Sequence, residues 1–257
     1  MNWNGKYALI TGASYGIGAA YCEILSSQGC NLVMVARDIE KLKQLSSDLS
    51  AKYGIKTYIL QQDLTLTSAA KNIFTFTTKE NINIDLLINN AGFSNVEGFV
   101  ETDMQKHNGM IHAMLNVVVE LCHGYLPSML QREGCGIINV ASVVAFINIK
   151  HKNRGVRSLY SPIKSFVALF SEQLHANYCS QGVAIQCLCP GLTVTEFHKR
   201  IGEQDLYKNT PKFLWQTAPE VAAQSLTALE KSKKAILVTG FINKVAIFCY
   251  RLIHLWP

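Results

Sequence analysis

The chain is 257 residues long, 49% hydrophobic and 16% charged, which is enough for a single α/β domain with a large core. A formal charge of +6, from 24 Lys and Arg against 18 Asp and Glu, is too diffuse to argue for nucleic acid, which needs a basic stripe or a known module. The eight cysteines have no framework spacing, so reduced thiols are expected rather than a disulfide scaffold. Cys187 and Cys189 share one side of a strand, but no second pair or histidine cluster completes a metal site.

Strand and helix patterns alternate from Lys6 onward with no linker, low-complexity tract or internal repeat, which predicts a doubly wound parallel sheet with helices on both faces. The first strand, Lys6 to Ile10, begins too close to Met1 for a cleavable secretory signal, and a cytoplasmic location is expected. It runs into Thr11-Gly12-Ala13-Ser14-Tyr15-Gly16-Ile17-Gly18, and helical spacing resumes over Ala19 to Leu25, so the glycines fall on a strand-to-helix turn. There Gly12 permits a tight turn, Gly16 lets backbone approach a pyrophosphate, Gly18 lets the helix pack on the strand, and free amides at the helix start attract phosphate. An ordinary βα loop uses the same glycines. The second strand, Asn31 to Val35, ends in Ala36-Arg37-Asp38. Ala36 carries no carboxylate and Arg37 supplies a guanidinium, so the strand end has room for a ribose 2′-phosphate and favours NADP(H) over NAD(H).

Lys56 to Gln61 is a third strand leading to Asp63-Leu64, and Asp85 to Ile88 a fourth leading to Asn89-Asn90-Ala91-Gly92, which by turn chemistry alone is a strand-ending turn. Gly136 to Val140 is a buried strand ending at Ala141-Ser142. Tyr160 and Lys164 stand four apart and share a face on a helix, and Pro162 between them fits only if that helix starts nearby. A tyrosine with its ordinary pKa near 10 is a poor proton donor or acceptor at neutral pH unless a nearby cation stabilises the phenolate, which Lys164 can do. Taken alone, the same spacing is usually surface decoration. Val183 to Leu188 leads to Cys189-Pro190-Gly191-Leu192-Thr193-Val194-Thr195. From there to about 216 the pattern loses periodicity and collects Phe197, Tyr207, Phe213, Leu214 and Trp215, which suits a mobile lid over about 194–216. After a strand at Lys234 to Val238, a nearly apolar helix is expected over about 241–256, interrupted by Asn243, Lys244, Arg251 and His254. It is too short and too charged for a membrane span. Peripheral contact with a membrane surface, burial in a subunit interface and burial over the pocket all remain open for it.

The glycine loop at 11–18, Asn89-Asn90-Ala91-Gly92 and Tyr160-Ser161-Pro162-Ile163-Lys164, in this order, resemble the short-chain dehydrogenase/reductase family, in the branch with hydroxysteroid and 3-ketoacyl reductases. The match runs almost from end to end. The resemblance implies a Rossmann-like fold, assembly as a homodimer or homotetramer, and hydride transfer between NADP and a small-molecule ketone or secondary alcohol. It implies that Gly12, Ser14, Tyr15, Gly16, Ile17, Gly18 and Arg37 hold the nucleotide and that Asp63 and Leu64 lie against its adenine. Asn90, Ala91 and Gly92 would line the floor under the cofactor, and Pro190, Gly191, Thr193 and Thr195 would hold the nicotinamide carboxamide. Tyr160 is then the general acid/base, Lys164 its electrostatic activator and a ribose ligand, and Ser142 the hydroxyl that orients the substrate oxygen.

The chain departs from the family pattern at two places. Counting back without gaps from Pro127 and from Ser142 puts Met114 where the family has an asparagine that holds a water in the proton path to the lysine. Asn116, two residues on, is turned by about 200° on a helix and cannot replace it unless the helix slips or bulges. A slower enzyme is one consequence and a cofactor-binding pseudoenzyme the other; a membrane-surface adaptor acting through the apolar tail is a third reading, resting on composition. The segment from Ser142 to Tyr160 is also longer than the family spacing and carries Lys150, His151, Lys152, Arg154 and Arg157. At the pocket rim these cations would meet a phosphate or carboxylate on the substrate; otherwise they are simply solvated.

Overall fold

Short apolar runs separated by amphipathic ones fold into a seven-stranded sheet in which every pairing is parallel. The computed structural model describes residues 1–95, 97–147, 159–197, 204–231 and 234–254, with 204–206 and 250–254 described as backbone only. The strands are β1 (Tyr7–Thr11), β2 (Asn31–Ala36), β3 (Thr57–Gln61), β4 (Leu86–Asn89), β5 (Cys135–Val140), β6 (Val183–Cys189) and β9 (Ile236–Val238). Their order across the sheet is β3-β2-β1-β4-β5-β6-β9, so the winding reverses between β1 and β4. At such a reversal a crevice opens beyond the carboxyl ends of the strands, the usual ligand position in this architecture.

Because helices cover both faces, the central strands are apolar throughout rather than alternating. Leu9, Val33, Val35, Leu87 and Ile137 face one layer, formed by α3 (Ala69–Lys79), α4 (Met104–Ile111), α5 (Val117–Met129) and α6 (Tyr160–Tyr178). Ile10, Leu32, Met34 and Ile138 face the other, formed by α1 (Gly16–Ser27), α2 (Ile39–Tyr53) and α8 (Ala218–Lys231). The ends of α2 are set by local chemistry: Asp38 accepts from the Lys41 N–H at 3.1 Å, and Gly54 closes the helix at φ 67°.

Three features differ from the sequence expectation. The helix before Pro127 is not continuous: a π-turn at His112–Asn116 separates α4 from α5, and Val117 N–H bonds back to His112 O. The expected aperiodic lid contains a helical turn, α7 (Gln204–Asn209), and a two-stranded parallel pair, β7 (Thr193–Val194) with β8 (Gln216–Thr217). Strands of two residues are too short to register as a period. The strand expected at Lys234 to Val238 is confined to Ile236–Val238. A helix expected at about 241–256 is present as α9 (Phe241–His254). Among the described residues no helix is long and apolar enough to cross a membrane. The basic residues Lys150, His151, Lys152, Arg154 and Arg157 lie outside the described residues.

Candidate active site

The glycine loop between β1 and α1 is shaped by contacts that exclude side chains. Gly12 (φ 67°) and Gly16 (φ 56°) are left-handed, and a Cβ on either would come within 2.9 Å of a neighbour, Ala91 Cα for Gly12 and Thr195 Cγ2 for Gly16. A Cβ on Gly18 would overlap Gly12 O. The loop is fastened from β4: Asn90 Nδ2 donates to Thr11 O at 2.9 Å and to Gly12 O at 3.2 Å, while Thr11 Oγ1 accepts from the N–H of Asn90 and of Ala91. Asn90 thus secures the loop rather than pointing into the crevice. No side chain caps the start of α1, after Ser14 and Tyr15, and its first turn, which includes Ile17, holds no acid, so no side-chain anion of that turn competes for its amides.

At the end of β2, Arg37 is exposed, and its backbone carbonyl accepts from Gln61 Nε2 at 3.0 Å. The neighbouring Asp38 is engaged from two sides, by the Tyr15 hydroxyl at 2.6 Å and the Lys41 amide. Tyr15 therefore draws the carboxylate toward α1, where it caps α2. Past β3, Asp63 accepts from the Thr65 N–H and hydroxyl, both at 2.9 Å, and Leu64 is buried.

Tyr160 opens α6, nearly buried, with its ring tilted against Phe197 at a centroid distance of 5.7 Å. One turn on, Lys164 Nζ lies 5.7 Å from the Tyr160 ring centroid and donates to Val140 O at 2.7 Å, at the end of β5. Burial lowers the Lys164 pKa to about 8, with the Cys187 and Cys189 thiols pulling it up. Ser142 follows on the same strand end; its Oγ accepts from the Val144 amide at 3.4 Å and donates to Pro190 O at 3.5 Å. The π-turn buries Met114 beside this group: its Sδ accepts from the Phe93 N–H at 3.4 Å. A Cβ on Gly92 would stand 3.4 Å from that sulfur and 3.5 Å from Lys164 Nζ, so thioether and ammonium flank one point above Gly92. Asn116 is exposed and its amide pairs with His112 Nδ1 at 3.3 Å, so even with the bulge it does not reach Lys164.

The turn after β6 closes the other side. Thr193 Oγ1 donates to Gly191 O at 3.1 Å, and Thr195 Oγ1 accepts from the Phe197 amide at 3.3 Å while its methyl meets Gly16. The crevice is therefore bounded by the glycine loop, the Asn90–Gly92 segment, the ends of β5 and β6 and the first turn of α6. Sequence reasoning missed two supports. Asn139 and Ser171 form a buried bridge from β5 to α6, and Asn243 at the base of α9 lies against Gly191. A polar residue inside an apolar strand was the available signal for Asn139.

Residues 6–206 match the family model described as short chain dehydrogenase. The very-long-chain 3-oxoacyl-CoA reductase of Macaca fascicularis is 30% identical over 228 residues, 87% of this chain and 70% of that protein. The 17-beta-hydroxysteroid dehydrogenase type 3 of Danio rerio is 33% identical over 193 residues, 72% of this chain and 60% of that one. A short-chain dehydrogenase from Sphingobium yanoikuyae, solved in complex with NADPH, shares the fold at a TM-score of 0.81 and 27% identity, with 97% of this chain and 95% of that chain covered. A 7beta-hydroxysteroid dehydrogenase shares it at 0.85 and 24%, over 98% and 95%. With more than three quarters of its length under the family model and the glycine loop built as that fold requires, the chain belongs to the short-chain dehydrogenase/reductase family.

Proposed function

We propose that the protein is an NADP-linked oxidoreductase acting on a ketone or the corresponding secondary alcohol. The observation that carries this reading is the convergence of Tyr160, Lys164 and Ser142 at one end of a crevice whose other end is the glycine loop, in which Gly12, Gly16 and Gly18 admit no Cβ. The crevice fits a dinucleotide. Gly12, Gly16 and Gly18 hold the turn tight against Ala91, Thr195 and Gly12 O, so α1 begins with no side-chain cap and no acid where a pyrophosphate would sit, and Arg37 stands exposed beside Ala36, where a 2′-phosphate needs a cation and no carboxylate. The relative solved with NADPH supports the same choice of nucleotide. A bound nicotinamide supplies or takes the hydride.

The side chains divide the remaining work. Ser142 donates a hydrogen bond to the carbonyl oxygen and fixes its direction. The Tyr160 hydroxyl delivers a proton to that oxygen in reduction and takes it back in oxidation. Lys164, charged below about pH 8, stabilises the phenolate left behind and would hold the ribose hydroxyls of the bound nucleotide. Phe197 packs its ring against Tyr160, and the partly buried Phe93, Val144 and Leu159 adjoin Gly92, Ser142 and Tyr160 in the chain, so an apolar ketone is the proposed substrate class, in keeping with the 3-oxoacyl and steroid relatives. We place the protein in the cytoplasm, where its eight free cysteines stay reduced, and as a homo-oligomer, since α6 exposes Phe166 and Leu169 beside the stacked ring of Phe170.

A cofactor-consumption screen with both nucleotides over ketosteroids, 3-ketoacyl thioesters and small diketones tests this reading. NADPH should be oxidised by at least one of them, Tyr160→Phe should abolish turnover with NADPH still bound, and Arg37→Ala should weaken NADPH by about ten- to a hundredfold while sparing NADH. Met114 favours a second reading, a nucleotide-binding protein without turnover. NADPH binding with no oxidation by any ketone would establish that reading and overturn the first.

A further inference from the structure

From position 231 onward the sequence holds Lys231, Lys233, Lys234, Lys244 and Arg251 and no Asp or Glu, so these last 27 residues carry five of the chain's six excess positive charges. Within them α9 is amphipathic with its apolar side outward. Phe241 is 79% exposed, Ile242 41%, Val245 44% and Phe248 62%, and positions i, i+1, i+4 and i+7 lie on one side of a helix. Ile247, on the opposite side, is 7% exposed and seats the helix on the body.

The foot of α9 stands at the candidate active site. Asn243 Nδ2 donates to Thr239 O at 2.8 Å, and the same carboxamide packs against Gly191 of the turn after β6. Gly240 turns the chain into the helix at φ 77°, and a Cβ there would stand 3.1 Å from Gln216 Oε1 of β8. The segment leading into β8 also exposes an aromatic ring, Phe213 at 72%.

A second copy is a poor occupant for this face. Pairing about a two-fold axis would bring together two copies of a segment that is net positive, with no acid in its sequence to offset the charge. An apolar stripe accompanied only by cations complements an anionic lipid surface, and a helix too short to span lies in the plane of the interface. We propose that α9 is an interfacial helix that seats the protein on an anionic bilayer, with the Gly191 side of the crevice next to the lipid. Seating there gives an apolar ketone dissolved in the bilayer a short path to the crevice; this consequence, unlike the docking itself, rests on the proposed oxidoreductase activity.

Co-sedimentation of the full chain with vesicles tests the docking without any turnover. The protein should bind vesicles of phosphatidylcholine mixed with phosphatidylglycerol, bind phosphatidylcholine alone about tenfold less, and be released by high salt. The paired substitution Phe241→Glu and Phe248→Glu, both at exposed positions, should remove binding, and Lys244→Glu should weaken it about tenfold on the anionic vesicles only. NADPH affinity and oligomeric state should stay unchanged in all of them. No binding by the unaltered protein, or binding indifferent to these substitutions, overturns the proposal. So does a change of oligomeric state in the paired variant, which would assign the face to a second copy. Vesicle binding without any ketone reduction would leave the docking standing and remove the proposed activity.

Discussion

An ammonium has three protons to donate, and Lys164 in its buried position gives one to Val140 O while the Met114 sulfur, a weak acceptor, stands on the far side of Gly92. Poor solvation of the charged form is why its pKa falls to about 8. A lowered lysine pKa means that the cation is present below about pH 8 and is lost as pH rises through that value, so support for the Tyr160 phenolate fades on the alkaline side. Met114→Asn puts a carboxamide on the other side of the point above Gly92 that the ammonium also flanks, where it can hold a water that gives the ammonium a second acceptor. We expect the rate to rise by about tenfold or more, the effect of a hydrogen bond to a charged group, with the alkaline limb of kcat/KM moving to higher pH and NADPH affinity unchanged. Met114→Leu, which keeps the volume and offers no acceptor, should leave the limb in place. A Met114→Asn profile superimposable on that of the unaltered protein would show that another group carries the relay.

At the scale of elements, the tyrosine and lysine are only as well placed as α6 is, and α6 is held by a polar bridge through an apolar core. Asn89 and Asn139 face each other in the β4–β5 register; Asn89 Nδ2 donates to Asn139 Oδ1 at 2.9 Å, and Asn139 Nδ2 donates to Ser171 Oγ at 3.0 Å. Ser171 stands seven residues after Lys164, on the same face of the helix. Asn139→Leu strands buried partners on both sides and should cost about 1–3 kcal/mol in urea unfolding, and the Asn89→Leu and Asn139→Leu pair should cost less than the sum of the two single changes. Strict additivity would mean the bridge is not a unit. This bridge also marks where sequence reasoning runs out. Strands such as Asn31–Ala36 and Val183–Cys189 are legible because burial on both faces writes a continuous apolar run, and the glycine loop because left-handed backbone at Gly12 and Gly16 and the close approach of Gly18 to Gly12 O admit no side chain. Asn139 and Ser171 are paired across 32 positions, and Asn243 reaches Gly191 across 52, so neither relation leaves a local trace. The π-turn that turns Met114 toward Gly92 has no breaker in its sequence, His112–Asn116; it is visible only in the backbone.

For the whole molecule, the sheet order decides which thiols can react. Six of the eight cysteines are buried, Cys179 is half-buried and Cys249 is exposed on α9. Burial pushes Cys30 and Cys122 up to about 12, so neither offers thiolate near neutral pH even when a reagent arrives. Cys135 lies on β5 and Cys187 and Cys189 on β6, one strand in from the edge, where only the three-residue β9 separates them from the sheet's end. Labelling in native buffer should therefore tag Cys249 quickly and Cys179 slowly. The other six should become reactive together when the sheet unfolds, as a single cooperative unit requires. Pulsed alkylation across a urea series with peptide mapping reads each site separately. Early labelling of Cys187 and Cys189, with Cys22, Cys30 and Cys122 still protected, would show instead that β9 detaches before the rest. Since β9 leads directly into α9, such an opening would free the helix together with the Gly191 side of the crevice, and the sheet would have to be described as two units of unequal stability.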